Sequence, residues 1–454
     1  MPRASIPTRT ISPEGERADA ALRDLVVRTA YDKTERLDVP VFGADKNRRV
    51  PLRERLVDAV PLARGLQPAL GAVAAAIAHV MAGGLRFEPV NDTPIHRSYP
   101  SPRGLFAAEL HLVFSLGERS FRMRYLADHH ALEPIDDGLP GFASDGWTLH
   151  LAVIGALDRI APLYGELAPT LCALEGGHLA EQLCAALGAA GIPFDCSAAG
   201  TPEQTGGYVT ALIGFPAALF AAPARADCTA RLRRLDYMLT ATDTARVSHA
   251  TALLAASPQS ARAVPGAGDG GAETPSLRSS GYFVNGMRGR PCAAAELDAV
   301  AAMLFARHRA FAADRLAPEL TLVRVAPDRS ATAIGADGSR LLVPGGAVLL
   351  SDAYGTLFNF DADTVPLVAL FSADLGRLTA RGSAWRYIQL LVVTGMIAQA
   401  ACRGAASLGF FARPFKGMIE NRLETAFAIP GQAFYTLLLG AAGGPNPHFT
   451  VDAL

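Results

Sequence analysis

The stretch "LEGGHLAEQLCAALGAAGI" (174–192) has a counterpart in the other half of the chain, "VTGMIAQAACRGAASLGF" (393–410). Gly177 and Gly395 are each followed by an alanine three residues later and by another glycine fourteen residues later. Small residues on one face let a helix pack closely against another helix or a flat ligand, and a glycine at the end supplies a C-cap. Both stretches are therefore predicted to be long helices with equivalent positions in two related halves.

The elements around these two helices also occur twice, in the same order. In the first half the pattern predicts a helix, a strand, a hairpin and a closing strand at 71–84, 108–114, 121–135 and 208–216. In the second half it predicts a helix, two strands and a closing strand at 294–308, 318–326, 345–354 and 433–440. Two diverged copies in one chain indicate an ancestor that was a two-fold symmetric homodimer. An active site at such an interface would draw on both halves.

One segment between the halves, "ASPQSARAVPGAGDGGAETPS" (256–276), has almost no apolar bulk and is predicted to be a linker. The domains are then expected at 69–255 and 277–454. Residues 1–68 are predicted to form a helical extension, because charged and apolar residues alternate at helical spacing in "ERADAALRDLVVRTA". The basic run "RLRRLDY" (231–237) is interpreted as a solvated face of a helix.

Composition excludes several classes of function. The chain has 454 residues, half of them apolar, and its formal net charge is -1. Nothing in that balance attracts nucleic acid or an anionic membrane. Apolar runs such as 212–222 are too short to span a bilayer, and the N-terminal stretch lacks the apolar core of a secretory signal. The six cysteines are scattered, which favours reduced core thiols over a metal site or disulfides. We expect a cytoplasmic protein that binds neither metal, nucleic acid nor membrane.

Several motifs resemble those of the nitroreductase-like FMN flavoproteins, and among these the SagB-type azoline dehydrogenases, which oxidise thiazolines and oxazolines in peptides. In the first half the carrying motifs are "YPSPRGLFAAELHLV" (99–113), "RYLADHHALEPI" (124–135) and "LYGELAPTLCALEGGHLAEQL" (163–183). They are similar to the family's proline-serine loop and strand, its hairpin, and its E-x-G-H helix. In the second half "SLRSSGYFVNGMRGRP" (276–291) and "LGFFARPFKGMIENRLETAFAIPGQAFYTLLLG" (408–440) resemble the Arg-Ser stretch and the P-x-x-G loop with its closing strand.

The resemblance implies an α+β fold. Each half would be a mixed, mostly antiparallel sheet wrapped by helices, and the two tandem domains would form an internal pseudo-dimer. It also implies FMN as the cofactor. In this family the proline-serine loop of one subunit covers the isoalloxazine of an FMN whose phosphate is held by the Arg-Ser stretch of the other. This chain has the first motif clearly only in its first half and the other two clearly only in its second half. One surviving FMN site between the halves is therefore expected.

The cofactor-binding residues that the resemblance implies are Pro100, Ser101, Arg103, Gly104, Arg278, Ser279, Lys416 and Gly417. Arg278 and Ser279 would bind the phosphate, with Arg288 or Arg290 as additional candidates. Lys416 would be the cation that stabilises the reduced flavin near its N1/C2 edge. Arg103 is the alternative for that part.

The proton-accepting group of the SagB-type enzymes is altered here. They usually carry an adjacent Lys-Tyr pair, whereas this chain reads Leu163-Tyr164 at the matching place. Tyr164 remains and the lysine is absent. Tyr164 and His178 are the catalytic candidates, with His129 and His130 as alternatives that we expect to be solvated in a hairpin turn.

The leading functional interpretation is an FMN-dependent dehydrogenase or oxidase of a biosynthetic pathway. It would oxidise an azoline ring or a similar small or peptide-borne substrate by hydride transfer to the flavin. One alternative is an NAD(P)H-dependent reductase of nitro, quinone or enone groups. The other is a non-catalytic scaffold or substrate-binding partner of a modifying complex. The partners expected are the small-molecule or peptide-borne substrate and a biosynthetic complex or carrier protein. An internal pseudo-dimer is compatible with either a monomer or a homodimer.

Overall fold

A computed structural model of the chain describes residues 20, 52–61, 68–81, 86–87, 95–116, 119–135, 148–202, 207–216, 230–237, 262–264, 289–311, 316–354, 365–380, 385–442 and 449–450. The first half contributes helices α1 (Pro68–Met81), α2 (Leu157–Tyr164) and α3 (Ala168–Ala189). Its strands are β1 (Leu52–Pro61), β2 (Arg86–Phe87), β3 (Ile95–His96), β4 (Ala108–Leu116), β5 (Arg119–Leu126), β6 (Ala131–Pro134), β7 (Thr148–Ala156), β8 (Asp195–Pro202), β9 (Gly207–Gly214), β10 (Ala230–Tyr237) and β11 (Arg262–Ala263).

The second half contributes helices α4 (Ala294–Ala310), α5 (Gly346–Tyr354), α6 (Leu375–Ala380), α7 (Trp385–Ser407) and α8 (Asn421–Ala426). Its strands are β12 (Gly289–Arg290), β13 (Glu319–Val325), β14 (Ala331–Gly335), β15 (Arg340–Val343), β16 (Leu367–Ala373), β17 (Phe410–Phe415), β18 (Gln432–Ala442) and β19 (Phe449–Thr450). Short 3-10 turns lie at Pro102–Gly104, Ala127–His129 and Gly165–Leu167.

The two large sheets repeat one topology. The order β6-β5-β4-β7-β9-β8 of the first half corresponds to β15-β14-β13-β16-β18-β17 of the second, and every pairing between the described strands is antiparallel. In chain order, helix α1 precedes β4 in the first half and α4 precedes β13 in the second. The long helix α3 follows β7, and the long helix α7 follows β16. The chain is therefore an α+β protein of two tandem domains, which confirms the predicted fold class.

The long helices α3 and α7 cross at Gly177 and Gly395. A Cβ atom on Gly177 would overlap the carbonyl oxygen of Val392, and one on Gly395 would overlap that of Leu174. Each of these carbonyls lies three residues before the glycine of its own helix, so the contacts are reciprocal about an approximate two-fold axis. Only residues without a side chain let two backbones come this close. The packing role predicted from the repeated glycines is confirmed.

Both long helices also end in the same way. Gly191 and Gly409 follow the last turns with φ angles of 68° and 75°, the left-handed region that favours glycine. After α3 the amide of Ile192 bonds to the carbonyl of Leu187 at 3.0 Å, and after α7 Gly409 bonds to Ala406 at 3.0 Å. The predicted glycine C-caps are thus confirmed in both halves.

A single large core joins the two halves. It includes both long helices and the inward faces of both sheets, and a separate core fills the outer face of the second sheet beneath α5 and α8. Helix α7 is long and apolar enough to cross a membrane by length and composition, yet its apolar window is 100% buried inside the protein. Its hydrophobicity is that of a core helix. Of the cysteines, Cys172, Cys184, Cys196 and Cys402 are buried.

Three sequence predictions of secondary structure are wrong. Residues 52–61, expected in a helical extension, form strand β1, which pairs with β10 and β6. Residues 231–237, interpreted as a helix, lie in β10. A short segment with alternating charges fits either period, and cross-strand pairing, including the 3.3 Å contact of Arg231 with Asp58, decides for the strand. Residues 346–354, expected as a strand, form helix α5, which follows a left-handed turn at Gly345.

The domain boundaries are less sharp than expected. Strand β11 lies within the predicted linker and pairs with β8 of the first domain. Strand β19, near the end of the chain, pairs with β2 of the first domain. The rest of the predicted linker, and the stretch 16–30 apart from Ala20, lie outside the described residues. The first of these pairings extends the first domain into the predicted linker, and the second joins the two halves.

Candidate functional site

The proline-serine loop between β3 and β4 is folded on itself around Ser101. The Ser101 hydroxyl accepts a hydrogen bond from the amide of Phe106 at 2.7 Å and donates one to Oε2 of Glu175 at 3.1 Å. Within the 3-10 turn Gly104 has a φ of 63°, a conformation that favours glycine. The Ser101 hydroxyl and the left-handed Gly104 therefore determine the shape of this loop.

Glu175 of α3 is the buried partner of this loop. Its Oε1 accepts a hydrogen bond from the amide of Ala108 at 3.1 Å, and the amide of Ala107 also bonds to the carboxylate. Burial raises the pKa of Glu175 to about 7, although these donors and Arg97 act in the opposite direction. A carboxyl group with such a pKa changes its protonation near neutral pH.

Aromatic and cationic groups hold the rest of the loop. The Arg97 guanidinium lies 4.1 Å from the centre of the Phe106 ring and donates a hydrogen bond to the Tyr99 hydroxyl at 3.1 Å. Phe106 has a φ of 50°, a left-handed conformation that is strained for a residue with a side chain. Arg159 of α2 donates to the Phe106 carbonyl at 2.9 Å. Strain of this kind persists only where the surroundings impose it.

His178 lies one turn beyond Glu175 on α3 and is joined to the second half by both ring nitrogens. Nδ1 lies 3.0 Å from Oε1 of Gln399 on α7, and Nε2 lies 2.9 Å from the hydroxyl of Tyr435 on β18. Because an amide oxygen only accepts, Nδ1 carries the proton and Nε2 of the neutral ring accepts from the tyrosine. Gln399 also donates to the carbonyl of Ser98, which precedes the proline loop, at 3.1 Å.

The positions of α7 that correspond to Glu175 and His178 carry no polar counterpart of this network. Counted from the glycine at the crossing, the residue of α7 equivalent to Glu175 is Val393, and the residue equivalent to His178 is Met396. Both counterparts are buried and apolar. The approximate two-fold symmetry of the backbone is therefore broken by side chains, and the polar groups of α3 belong to one side of the interface.

A buried ion pair closes the same interface further along the helices. Arg403 of α7 donates to Oε1 of Glu181 at 2.8 Å and to its backbone carbonyl at 3.2 Å. The two side chains are 3% and 1% exposed. Two charges removed from water must stay paired, so this contact fixes how the halves are docked.

Lys416 is buried beside a carboxylate and not presented as an isolated cation. Its Nζ lies 3.5 Å from Oε1 of Glu420, and both side chains are almost wholly buried. In the β17–β18 register Phe415 lies opposite Thr436, which brings Lys416 beside the backbone of Tyr435. Since Glu420 balances its charge, Lys416 adds little net positive charge to the site. A Cβ atom on the next residue, Gly417, would overlap the Phe415 ring.

The remaining catalytic candidates lie on other elements. Tyr164 is the last residue of α2 and is half-buried against the shared core. His129 is exposed, as predicted. His130 is partly buried with its Nδ1 2.7 Å from the Tyr125 hydroxyl, so the expectation of a solvated His130 is wrong. The left-handed φ of 46° at His130 turns its ring towards the hairpin.

The structure thus brings some of the predicted residues together. Ser101 bonds to Glu175 of α3, and His178, one turn further along the same helix, bonds to Tyr435 of the second half. Pro100 and Gly104 lie half-buried in the loop. Arg278, Ser279 and the Arg103 side chain lie outside the described part of the chain. Glu175, Gln399 and Tyr435 were not predicted. The E-x-G-H motif contains the glutamate, and its spacing of three residues from His178 is the signal that could have identified it.

The described residues fit a flavin through main-chain groups. Gly104 has a left-handed φ of 63°, and a Cβ atom on Gly417 would overlap the Phe415 ring, so at both positions main-chain groups are what the protein could offer a flat ring. The predicted cation fits less well, because Lys416 is already paired. Among the described residues no cluster of three or more His, Cys, Asp or Glu side chains is arranged to hold a metal ion.

Comparisons with known proteins identify the fold. No family model and no curated protein matches the chain. A solved structure from Anabaena variabilis ATCC 29413, provisionally described as a nitroreductase, superimposes with a TM-score of 0.60 at 14% identity, over 93% of this chain and 99% of that chain. A second, from Ralstonia eutropha JMP134 and described in the same way, has a TM-score of 0.28 at 15% identity over 37% of this chain and 80% of that chain. The first superposition shows that the fold is nitroreductase-like along nearly the whole chain.

Proposed function

We propose that the protein is an FMN-dependent oxidoreductase with one flavin site between its two halves. The observation that carries this proposal is the one-sided network around α3. It anchors the proline loop through Glu175 and reaches α7 and β18 through His178. The equivalent positions of α7 are apolar. The nitroreductase-like fold supports a flavin as the cofactor, and the broken symmetry supports one site over two.

Residues from both halves would hold the cofactor. Main-chain groups of the loop from Pro100 to Gly104 would face the ring from the first half, and the amide of Gly417 from the second. Arg278 and Ser279 would bind the phosphate, as the resemblance to the flavoprotein family implies. When bound, FMN supplies the hydride acceptor or donor.

The proposed substrate is an azoline ring or a similar peptide-borne group, which the protein would oxidise. Hydride leaves a substrate carbon, and a side chain must take the proton. With leucine at position 163, Tyr164 is the remaining family residue for this step. His178 has hydrogen-bond partners on both ring nitrogens, so we assign it a positioning role through Tyr435. The same scaffold would support reduction of nitro, quinone or enone groups by NAD(P)H.

Half-reactions of the reconstituted protein test the proposal. The purified protein is mixed with FMN, freed of unbound flavin, and examined under anaerobic conditions. Bleaching of the visible flavin band by an azoline-containing peptide supports the dehydrogenase, whereas bleaching by NADH or NADPH alone supports the reductase. A Tyr164→Phe variant should bleach at least tenfold more slowly with the azoline. Failure to retain FMN contradicts the oxidoreductase and leaves a non-catalytic scaffold.

A further inference from the structure

One buried carboxylate holds both ends of the proline-serine loop. Oε2 of Glu175 accepts from the Ser101 hydroxyl at the beginning of the loop, and Oε1 accepts from the amide of Ala108, where β4 begins. Ser101 in turn receives the amide of Phe106 at 2.7 Å. Both ends of the segment 101–108 are therefore bound by one side chain of α3, that of Glu175, which is 1% exposed.

The loop conformation requires an external hold of this kind. Phe106 is left-handed although it carries a side chain, and Gly104, two residues earlier, is left-handed as well. Such a backbone is stable only when surrounding contacts over-determine it. Arg159 holds the Phe106 carbonyl, Arg97 lies over the Phe106 ring, and Glu175 contacts the segment at both ends.

We propose that Glu175 is the positioning residue of the flavin site: as a carboxylate it fixes the proline-serine loop in the conformation that receives the ring. This inference rests on the proposed function. Each contact made to Glu175 comes from a donor, namely the Ser101 hydroxyl and the amides of Ala107 and Ala108. A carboxylate accepts from all of them, whereas a protonated carboxyl or an amide keeps one accepting oxygen for the two amides and could hold Ser101 only by reversing the direction of that hydrogen bond.

The ionisation of Glu175 is then coupled to the order of the loop. Arg97 faces the carboxylate from the segment before the loop, Tyr99 faces it from the same segment, Cys172 from α3 itself, and Arg159 lies beyond them on α2. Burial raises the pKa of Glu175 more than Arg97 and the three hydrogen-bond donors lower it, and the pKa is about 7. Protonation turns one oxygen into a donor and removes one acceptor from the loop. Flavin should therefore bind more weakly below neutral pH.

The test compares wild type with Glu175→Gln, which keeps the size of the side chain and removes the ionisation. FMN dissociation constants are measured by quenching of flavin fluorescence between pH 6 and pH 8.5. For wild type we expect the affinity for FMN to fall several-fold as the pH is lowered. For E175Q we expect an affinity about tenfold weaker than that of wild type at pH 8, without the part of the pH dependence that comes from Glu175. The FMN phosphate also titrates near pH 6, so the difference between the two proteins is the quantity that reports on Glu175.

Two further variants separate loop positioning from general damage. Ser101→Ala removes the hydroxyl link and should weaken FMN binding in the same direction as E175Q. Glu133→Gln removes another buried carboxylate of the first half, one that pairs with Arg124, and should leave FMN affinity unchanged. If E175Q and S101A bind FMN as wild type does, with the same pH profile, the proposal is overturned.

Hydrogen exchange of the peptide covering 97–108 gives a readout that needs no flavin. Faster exchange of this peptide in E175Q than in wild type and E133Q supports the anchoring role, whereas equal exchange overturns it. If no variant and no wild-type sample binds FMN, yet the loop still exchanges faster in E175Q, the proposed function fails and the anchor stands. The two failures are thus distinguishable.

Discussion

The crossing of the long helices predicts an unusual response to one small substitution. Replacing Gly177 by alanine normally favours a helix, by about 1 kcal/mol. Here the added Cβ would overlap the Val392 carbonyl oxygen and lie 3.0 Å from the Cα atom of Gly395. Both neighbours are backbone atoms, which cannot rotate away as a side chain does. Relief requires that α3 and α7 move apart through the shared core.

The magnitude follows from these opposed effects. Overpacking in a close-packed core costs about 1–3 kcal/mol, and a backbone clash belongs at or above the upper end. Set against the gain in helix propensity, G177A should lose about 2 kcal/mol of stability. For domains of 150–250 residues that corresponds to a fall in Tm of roughly 4–8 °C.

A matched control exists in the first half. Gly71 lies inside α1, and a Cβ atom placed on it has nothing within 4 Å. Gly71→Ala should therefore stabilise the protein by about 0.5–1 kcal/mol. Thermal and urea melts of G71A, G177A and Gly395→Ala give the comparison. The double variant G177A/G395A should lose less than the sum of the single variants, because one wedge already separates the helices. A rise in Tm for G177A comparable to that of G71A would refute the described crossing.

Further predictions concern the buried polar contacts. Arg403→Met strands the Glu181 charge and should cost about 3–5 kcal/mol, while the double variant R403M/E181Q should recover part of the loss in a urea melt. Tyr435→Phe removes the hydroxyl donor to His178 and should cost about 1 kcal/mol; the ring should keep its proton on Nδ1, which bonds to Gln399, while the NMR shift of Nε2 moves. Because burial raises the pKa of Glu175 from 4.5 to about 7, its contribution to folding is fully present below pH 4.5 and is lost as the pH rises to 7. The difference in unfolding free energy between E175Q and wild type should therefore grow in favour of E175Q over that interval, by roughly 3 kcal/mol in urea melts, and then level off; a constant difference would contradict the assignment.

Sequence alone was sufficient for the elements whose patterns are long. The repeated small residues around Gly177 and Gly395 predict two helices of more than five turns, because close helix packing demands such residues over many positions. The apolar alternation of β4 and the continuous apolar run of β18 likewise predict the strands that form. The segment that forms α5 was misassigned, since a short apolar run has no period that separates a helix from a strand.

The candidate site depends on contacts that sequence does not display. Ser101 and Glu175 are separated by 74 positions, and His178 and Tyr435 by 257. Neither pair shares a local pattern, so only the tertiary fold joins them. The ion pair of Lys416 with Glu420 is different: its spacing of four residues is visible in the sequence. It becomes informative only once both groups are known to be buried.

The number of FMN molecules bound per chain tests the central claim most directly. The purified protein is saturated with FMN, freed of excess flavin and denatured, and the released FMN is measured against the protein concentration. One composite site between the halves predicts about one FMN per chain, lost when Arg278 is replaced by alanine. Near two FMN per chain would contradict the single site, and no retained FMN would contradict the flavin site itself.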